Sequence, residues 1–262
     1  MKPNFIIPYI IGFLKASKMI LEYPYIEKLW EHIHLEKKQI NDVYVVIGLA
    51  LNGFILGLAG SFILWLVTLI IPGIVGTIIG TILLLLILLL KDKGQGMGLL
   101  GSYLASRLSG KKHQQSCKLL DDSNNDDKSL SSVVLSLILL LKIAMCFVII
   151  TNNCEYMLLP LLMVNYCTQG LLAGNRRINN NVLFYLELHD LDNFYIASAI
   201  LLFVGVHLNF VVWLFTLFVF AMQYLFAARF TEDSNSYTGN KLTFSGEASE
   251  FVLLIIFSLY LL

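Results

Sequence analysis

Three groups of residues have types and spacings that suit chemistry. Glu247 and Glu250 stand at i and i+3 in front of the apolar run Phe251 to Leu262. On a helix that spacing sets both carboxylates on one face. Carboxylates close to a membrane interior mark functional sites, whereas at a helix start they also serve to cap it and favour its dipole. Asp121, Asp122, Asp126 and Asp127 form a dense acidic cluster. Such oxygens can hold Mg2+ against a diphosphate, yet with Ser123, Asn124, Asn125 and Lys128 among them the same residues read equally as a solvated loop. Lys142 lies inside the apolar run that starts at Val133. An unpaired ammonium there costs on the order of a few kcal/mol unless it snorkels to the interface or meets a carboxylate.

Weaker signals surround these. Glu187, His189, Asp190 and Asp192 lack the spacing of metal ligands on a helix and read as a polar inter-helix loop. His207, beside Gly205, suits a polar contact inside a bundle better than a ligand role. Gly94-x-Gly96-x-Gly98 has neither a strand before it nor the Lys-Ser/Thr of a phosphate loop. Cys117, Cys146, Cys154 and Cys167 show no C-x-x-C spacing and mostly lie in or beside apolar runs, which points to packing.

The elements that must position these residues are apolar. Hydrophobic residues make up 57% of the chain and charged ones 14%, with a mean hydropathy of +0.75. Several runs approach the roughly 20 residues that cross a bilayer. The formal net charge is zero and no basic patch carries interleaved aromatics, so nucleic acid is excluded as a partner. The expected fold is all-α: a polytopic membrane helix bundle of about seven spans by length, forming a single integral membrane domain over residues 1–262. An N-terminal interfacial or re-entrant helix precedes it, since Lys15 to Lys38 is amphipathic and rich in Lys, Glu and Trp.

Spans are expected from Val43 to Ile71, from Ile74 to Leu90 after the Pro72-Gly73 turn, from Val133 to Thr151 and from Tyr156 to Gly174. Phe194 to Phe230 is long enough for two helices broken near Gly205 to Asn209, and a last helix begins before Glu250. Gly53, Gly57 and Gly60 are spaced to admit a close helix neighbour. The longest polar interruption, 91–132, carries seven Lys and Arg residues, whereas the turn at Asn152 to Glu155 carries none. That asymmetry puts the polar loop 91–132, together with Asn175 to Asn193 and Thr231 to Ser249, on the cytoplasmic side.

Two stretches carry a family likeness. Gly239-Asn240-Lys241-Leu242-Thr243-Phe244-Ser245-Gly246-Glu247-Ala248-Ser249-Glu250 resembles, without a gap, a closing G-D-T-L-G-A-x-x-E-L-x-E pattern, keeping Gly239, Leu242, Glu247 and Glu250. Lys118-Leu119-Leu120-Asp121-Asp122-Ser123, followed by Lys142, is similar to an E-I-M-x-D-S segment before a helix that contains a lysine, and Val46-Ile47-Gly48-Leu49 to an apolar-I-G-apolar helix start. These patterns are those of the adenosylcobinamide-GDP ribazoletransferases, or cobalamin synthases. The resemblance implies a membrane transferase that joins adenosylcobinamide-GDP to alpha-ribazole and releases GMP, with Mg2+ as cofactor. It also implies a bacterial inner (plasma) membrane location in contact with membrane lipid, and catalytic roles for Glu247, Glu250 and Lys142.

One motif departs from the pattern. The family signature H-x-D-G-L-x-D-x-x-D-G falls on Gly96 to Ser106, so that Gly98, Ser102 and Ala105 stand where aspartates would hold the metal, and Asn240 replaces the tail aspartate. Carboxylates at i, i+4 and i+7 converge on Mg2+ from one helix face, and glycine, serine and alanine supply no such charge. Two expectations follow from the resemblance. Either the metal ligands have moved to the acidic cluster, with Asp121, Asp122 and Asp126 as ligands, or the chain is an inactive relative that serves other membrane proteins as a binding or assembly partner.

Overall fold

The computed structural model describes residues 9–14, 16, 42–91, 94–112, 115–116, 128–174, 210–232 and 239–262. Among them the elements are α1 (Asp42–Ile70), α2 (Ile74–Leu90), α3 (Gln95–Leu108), α4 (Lys128–Thr151), a 3-10 turn (Glu155–Met157), α5 (Leu158–Gly174), α6 (Phe210–Glu232) and α7 (Gly239–Leu261). The N-terminal helix expected over Lys15 to Lys38, the acidic cluster, the Asn175 to Asn193 stretch and the helix before Gly205 lie outside the described residues, apart from Ala16, which is helical and buried.

Helix boundaries follow local chemistry. Pro72 disfavours helical geometry at Ile71, and Gly73 at φ 81° turns the chain into α2. A Cβ on Gly76 would meet the Ile71 carbonyl oxygen at 1.6 Å, so this hairpin closes only around glycine. At the far end of α2, Gly94 at φ 76° donates its N–H to Leu89 O at 2.8 Å and starts α3, whose axis lies 84° from that of α2. The central polar stretch thus opens with a helix that runs across the bundle.

Three described helices are long and apolar enough to cross a membrane, over Ile47–Ile70, Leu130–Thr151 and Thr243–Leu261, and a fourth crossing results if α2 and α3 count as one broken span. Large apolar side chains recur on the outer faces of these helices, such as Ile78, Ile82 and Leu86 on α2 and Val133, Leu137 and Leu140 on α4. Spacings of three and four residues make these continuous apolar stripes suited to lipid. The opposite faces bury Leu64, Leu84, Ile149, Leu161 and Phe257.

The glycines read from the sequence as a close-packing face lie where α1 meets α5. A Cβ on Gly57 would stand 2.6 Å from Leu159 Cα, and one on Gly53 would stand 2.9 Å from Met163 Cα. Upstream, a Cβ on Gly48 would stand 2.6 Å from the Gly12 carbonyl oxygen, so the segment at 9–14 also touches α1 backbone to backbone. Absent side chains permit this approach, and packing of this kind holds helices together where lipid is as apolar as the protein.

Two boundaries differ from expectation. α4 begins at Lys128 rather than Val133, because the serines that looked like loop are drawn into tertiary contact: Ser131 Oγ lies 3.2 Å from Ser102 Oγ of α3. α7 begins at Gly239, so Glu247 and Glu250 lie two and three turns inside it rather than at its start. Its small polar residues are satisfied inside the bundle, as where Ser249 donates to Ser245 O and Gly246 O at 3.0 and 2.8 Å. The helix-capping reading of the glutamate pair is therefore set aside.

Candidate functional site: a buried quartet of charges

Four helices bring charged or polar side chains to one point. Lys91, the residue that caps the C-terminal end of α2, sends its ammonium back into the bundle. Its Nζ lies 2.6 Å from Glu247 Oε2 and 2.9 Å from Glu250 Oε2. From α4, Lys142 Nζ donates to Glu247 Oε1 and, at 3.0 Å, to Glu250 Oε1. Each ammonium thus touches both carboxylates, and each carboxylate touches both ammoniums. The side chains are 0–3% exposed.

A polar tail extends the quartet along α5. Asn165 Nδ2 donates to Glu250 Oε2 at 3.0 Å, and Gln169 Nε2 donates to Asn165 Oδ1 at 2.7 Å. Asn165 is buried and Gln169 half-buried. α7 makes room for both carboxamides with Gly246, where a Cβ would stand 2.6 Å from Asn165 Oδ1 and 2.7 Å from Gln169 Nε2. One turn along the same seam, Ser249 Oγ lies 3.3 Å from Thr168 Oγ1.

The energetics fix the character of the site. Moving four charges from water into a helix bundle costs several kcal/mol per ion, which the mutual contacts offset only when geometry is good and the remaining hydrogen-bonding capacity is met. Here every carboxylate oxygen accepts from at least one ammonium, and Glu250 Oε2 from the Asn165 amide as well. Two positive and two negative groups sum to zero. The attraction that a bare pair of glutamates would exert on a divalent cation is cancelled by ammoniums already in contact.

The sequence-derived residues fare differently. Glu247, Glu250 and Lys142 meet, although the two glutamates and the lysine are more than a hundred residues apart in the chain. Lys142 lies 14 residues into α4, nearly four turns, and its ammonium pairs inside the bundle instead of snorkelling. Asp121, Asp122 and Asp126, as well as Asp127, Glu187, His189, Asp190, Asp192 and His207, lie outside the described residues. Among the described residues no group of three or more His, Cys, Asp or Glu could hold a metal ion.

The positions at which the resemblance would place aspartates have different surroundings. A Cβ on Gly98 would meet open space, Ser102 faces Ser131, and Ala105 is buried. Cys146 and Cys167 are buried and free, in line with a packing role, while Cys154 is half-buried near the turn after α4.

Sequence reading missed Lys91, Asn165 and Gln169. Lys91 directly follows an apolar run and opens a polar stretch, so by local pattern it belongs to the loop. The i, i+4 pair Asn165 and Gln169 within an otherwise apolar helix was the available signal for the other two, since polar side chains inside such helices need partners. Comparison with family models, with curated proteins and with solved structures gives no match to this chain.

Proposed function

We propose that this chain is an integral membrane protein of the cobalamin synthase type that binds within its bundle or assembles with other membrane proteins, without efficient ribazole transfer. The supporting observation is the quartet. The three residues that the resemblance singles out as catalytic meet at one buried centre, where Lys91 and Lys142 neutralise the two tail carboxylates. In the family reaction, the displacement of a diphosphate needs a metal held by carboxylates to take up developing charge. Gly98, Ser102 and Ala105 offer no carboxylates, and Glu247 and Glu250 are committed to lysines. The full chain in this reading has about seven spans in a bacterial inner membrane, with 91–132 on the cytoplasmic side.

The test is a direct assay. Purified protein is incubated with adenosylcobinamide-GDP and alpha-ribazole, with and without Mg2+, and GMP release is followed alongside equilibrium binding of each substrate. The reading expects no Mg2+-dependent release above a no-protein control. Sustained Mg2+-dependent release by the unmodified chain would overturn it and assign the metal to Asp121, Asp122 and Asp126.

A further inference from the structure

The end of α3 carries a second feature, independent of the quartet. α2 runs along the bundle and α3 turns 84° from it, so with α2 in a membrane α3 lies close to the membrane plane. Its level is fixed by its contacts. Ser102 meets Ser131 and a Cβ on Gly101 would touch Leu135, both within the first two turns of α4. Tyr103 packs its ring 4.9 Å from that of Phe244, near the start of α7. The helix therefore rests on the rim where α4 and α7 enter, and its 14 residues reach about 20 Å across it.

The far end of α3 combines one exposed apolar residue with exposed cations. Leu108 is 72% exposed, and Arg107 before it and Lys112 four residues after it are exposed as well. The turn after the helix is built: Gly110 stands at φ 83°, its N–H donates to Arg107 O at 3.1 Å, and Arg107 Nη1 donates to Lys111 O at 3.0 Å, so the chain folds back at Arg107 just before Lys112. From residue 93 to residue 120 the chain has five Lys and Arg residues and no Asp or Glu. A helix C-terminus accounts for one nearby cation through its dipole. It does not account for an acid-free run of 28 residues or for a leucine held out beside the cations.

We propose that the Arg107–Lys112 hook is a seat for the headgroup of an anionic phospholipid. Arg107 and Lys112 take the phosphate and the added negative charge, while Leu108 enters the acyl region beneath it. Charge complementarity at a membrane rim is what favours this occupant, since basic side chains beside a bilayer surface are attracted to anionic lipid. The inference rests on the membrane placement of α2 and α4 and not on any transferase likeness.

The test uses the full chain reconstituted in phosphatidylcholine vesicles, with Leu108→Trp as reporter and the parent protein's tryptophan signal subtracted. Brominated phosphatidylglycerol or brominated phosphatidylcholine is titrated in as quencher. The expected result is quenching of Trp at 108 by the brominated anionic lipid at a mole fraction roughly ten- to thirtyfold lower than by the zwitterionic one, given what a basic residue contributes at a charged surface. In the Arg107→Gln, Lys112→Gln background that preference falls to near unity. Salt at high concentration reduces the preference in the chain that keeps both cations, a measurement that does not depend on how the variant folds. Equal quenching by the two lipids, absence of quenching by either, or a preference that survives both substitutions and salt overturns the proposal.

Discussion

Substituting Lys142 by Met removes one cation from the quartet while leaving the aliphatic volume nearly unchanged. Glu247 keeps only Lys91, Glu250 keeps Lys91 and Asn165, and the centre carries a net charge of minus one. A contact at 3.0 Å, like that of Lys142 with Glu250, is worth about 5 kcal/mol at an effective dielectric near 20. Lysine no longer has to be desolvated, and this offsets part of the loss. Breaking a buried pair from one side costs about 3–5 kcal/mol. That is a large share of the roughly 5–15 kcal/mol by which proteins are folded. Pairing Lys142→Met with Glu247→Gln restores neutrality, and the double variant is expected to recover at least half of the loss. Unfolding of the parent, of Lys142→Met and Glu247→Gln singly and of the double variant in mixed micelles, titrated with a denaturing detergent and read by tryptophan fluorescence, gives the coupling energy. If Lys142→Met lies within about 1 kcal/mol of the parent, or if the double variant is no more stable than the single, the quartet is not the coupled unit described.

Further outcomes concern packing, the effect of aspartates at positions 98, 102 and 105, and topology. Gly57→Ala forces α1 from α5, since its new Cβ would stand 2.6 Å from Leu159 Cα, and a loss of about 1–3 kcal/mol is expected in the same micelle titration. Gly98→Asp meets open space and leaves stability unchanged, whereas Ala105→Asp, at a buried site, lowers it by several kcal/mol and so prevents the triple variant with Ser102→Asp from gaining Mg2+ affinity by calorimetry. Burial pushes the Cys154 thiol up, with the Tyr156 contact opposing and Glu155 adding to the rise. Its thiolate, the reactive form, therefore forms only at higher pH than for an open cysteine, and maleimide labelling in a Cys117→Ser background should be slow at neutral pH and speed up as pH rises. Cys146 and Cys167 should stay unlabelled until the protein unfolds, because both are buried. A membrane-impermeant maleimide applied from outside should reach Cys154 and miss a cysteine placed at Lys112; the reverse pattern would invert the orientation.

What was legible in the sequence divides along physical lines. The Pro72-Gly73 turn and the bounds of α2 could be read because a proline and an apolar run act locally. Gly53, Gly57 and Gly60 announced a close contact because nothing else explains three small residues on one face, although the identity of the partner, α5, depends on how distant segments meet. Glu247 and Glu250 stood out through their charge beside an apolar run, and Lys142 through its charge inside one. Their union could not be read, since a lysine inside a span has two outlets, the interface or a carboxylate, and local pattern does not choose between them. The direction taken by Lys91 is hidden from local pattern for the same reason. A long aliphatic stem lets the ammonium of a helix-end residue act a full turn away from its backbone, and here it points back into the bundle rather than out to water.

The quartet divides its charges unevenly by position in the chain. Both cations precede residue 150, one capping α2 and one on α4, and both anions arrive on α7. During synthesis the two lysines are therefore made and placed long before anything can neutralise them, and each on its own is an unfavourable guest in an apolar setting. Only when α7 docks does the centre become neutral. Docking of α7 is thus the step that commits the bundle, and a chain in which α7 is missing or misoriented is left with two lysines that have no carboxylate beside them. The order of synthesis thus makes α7 the element whose arrival relieves both costs at once.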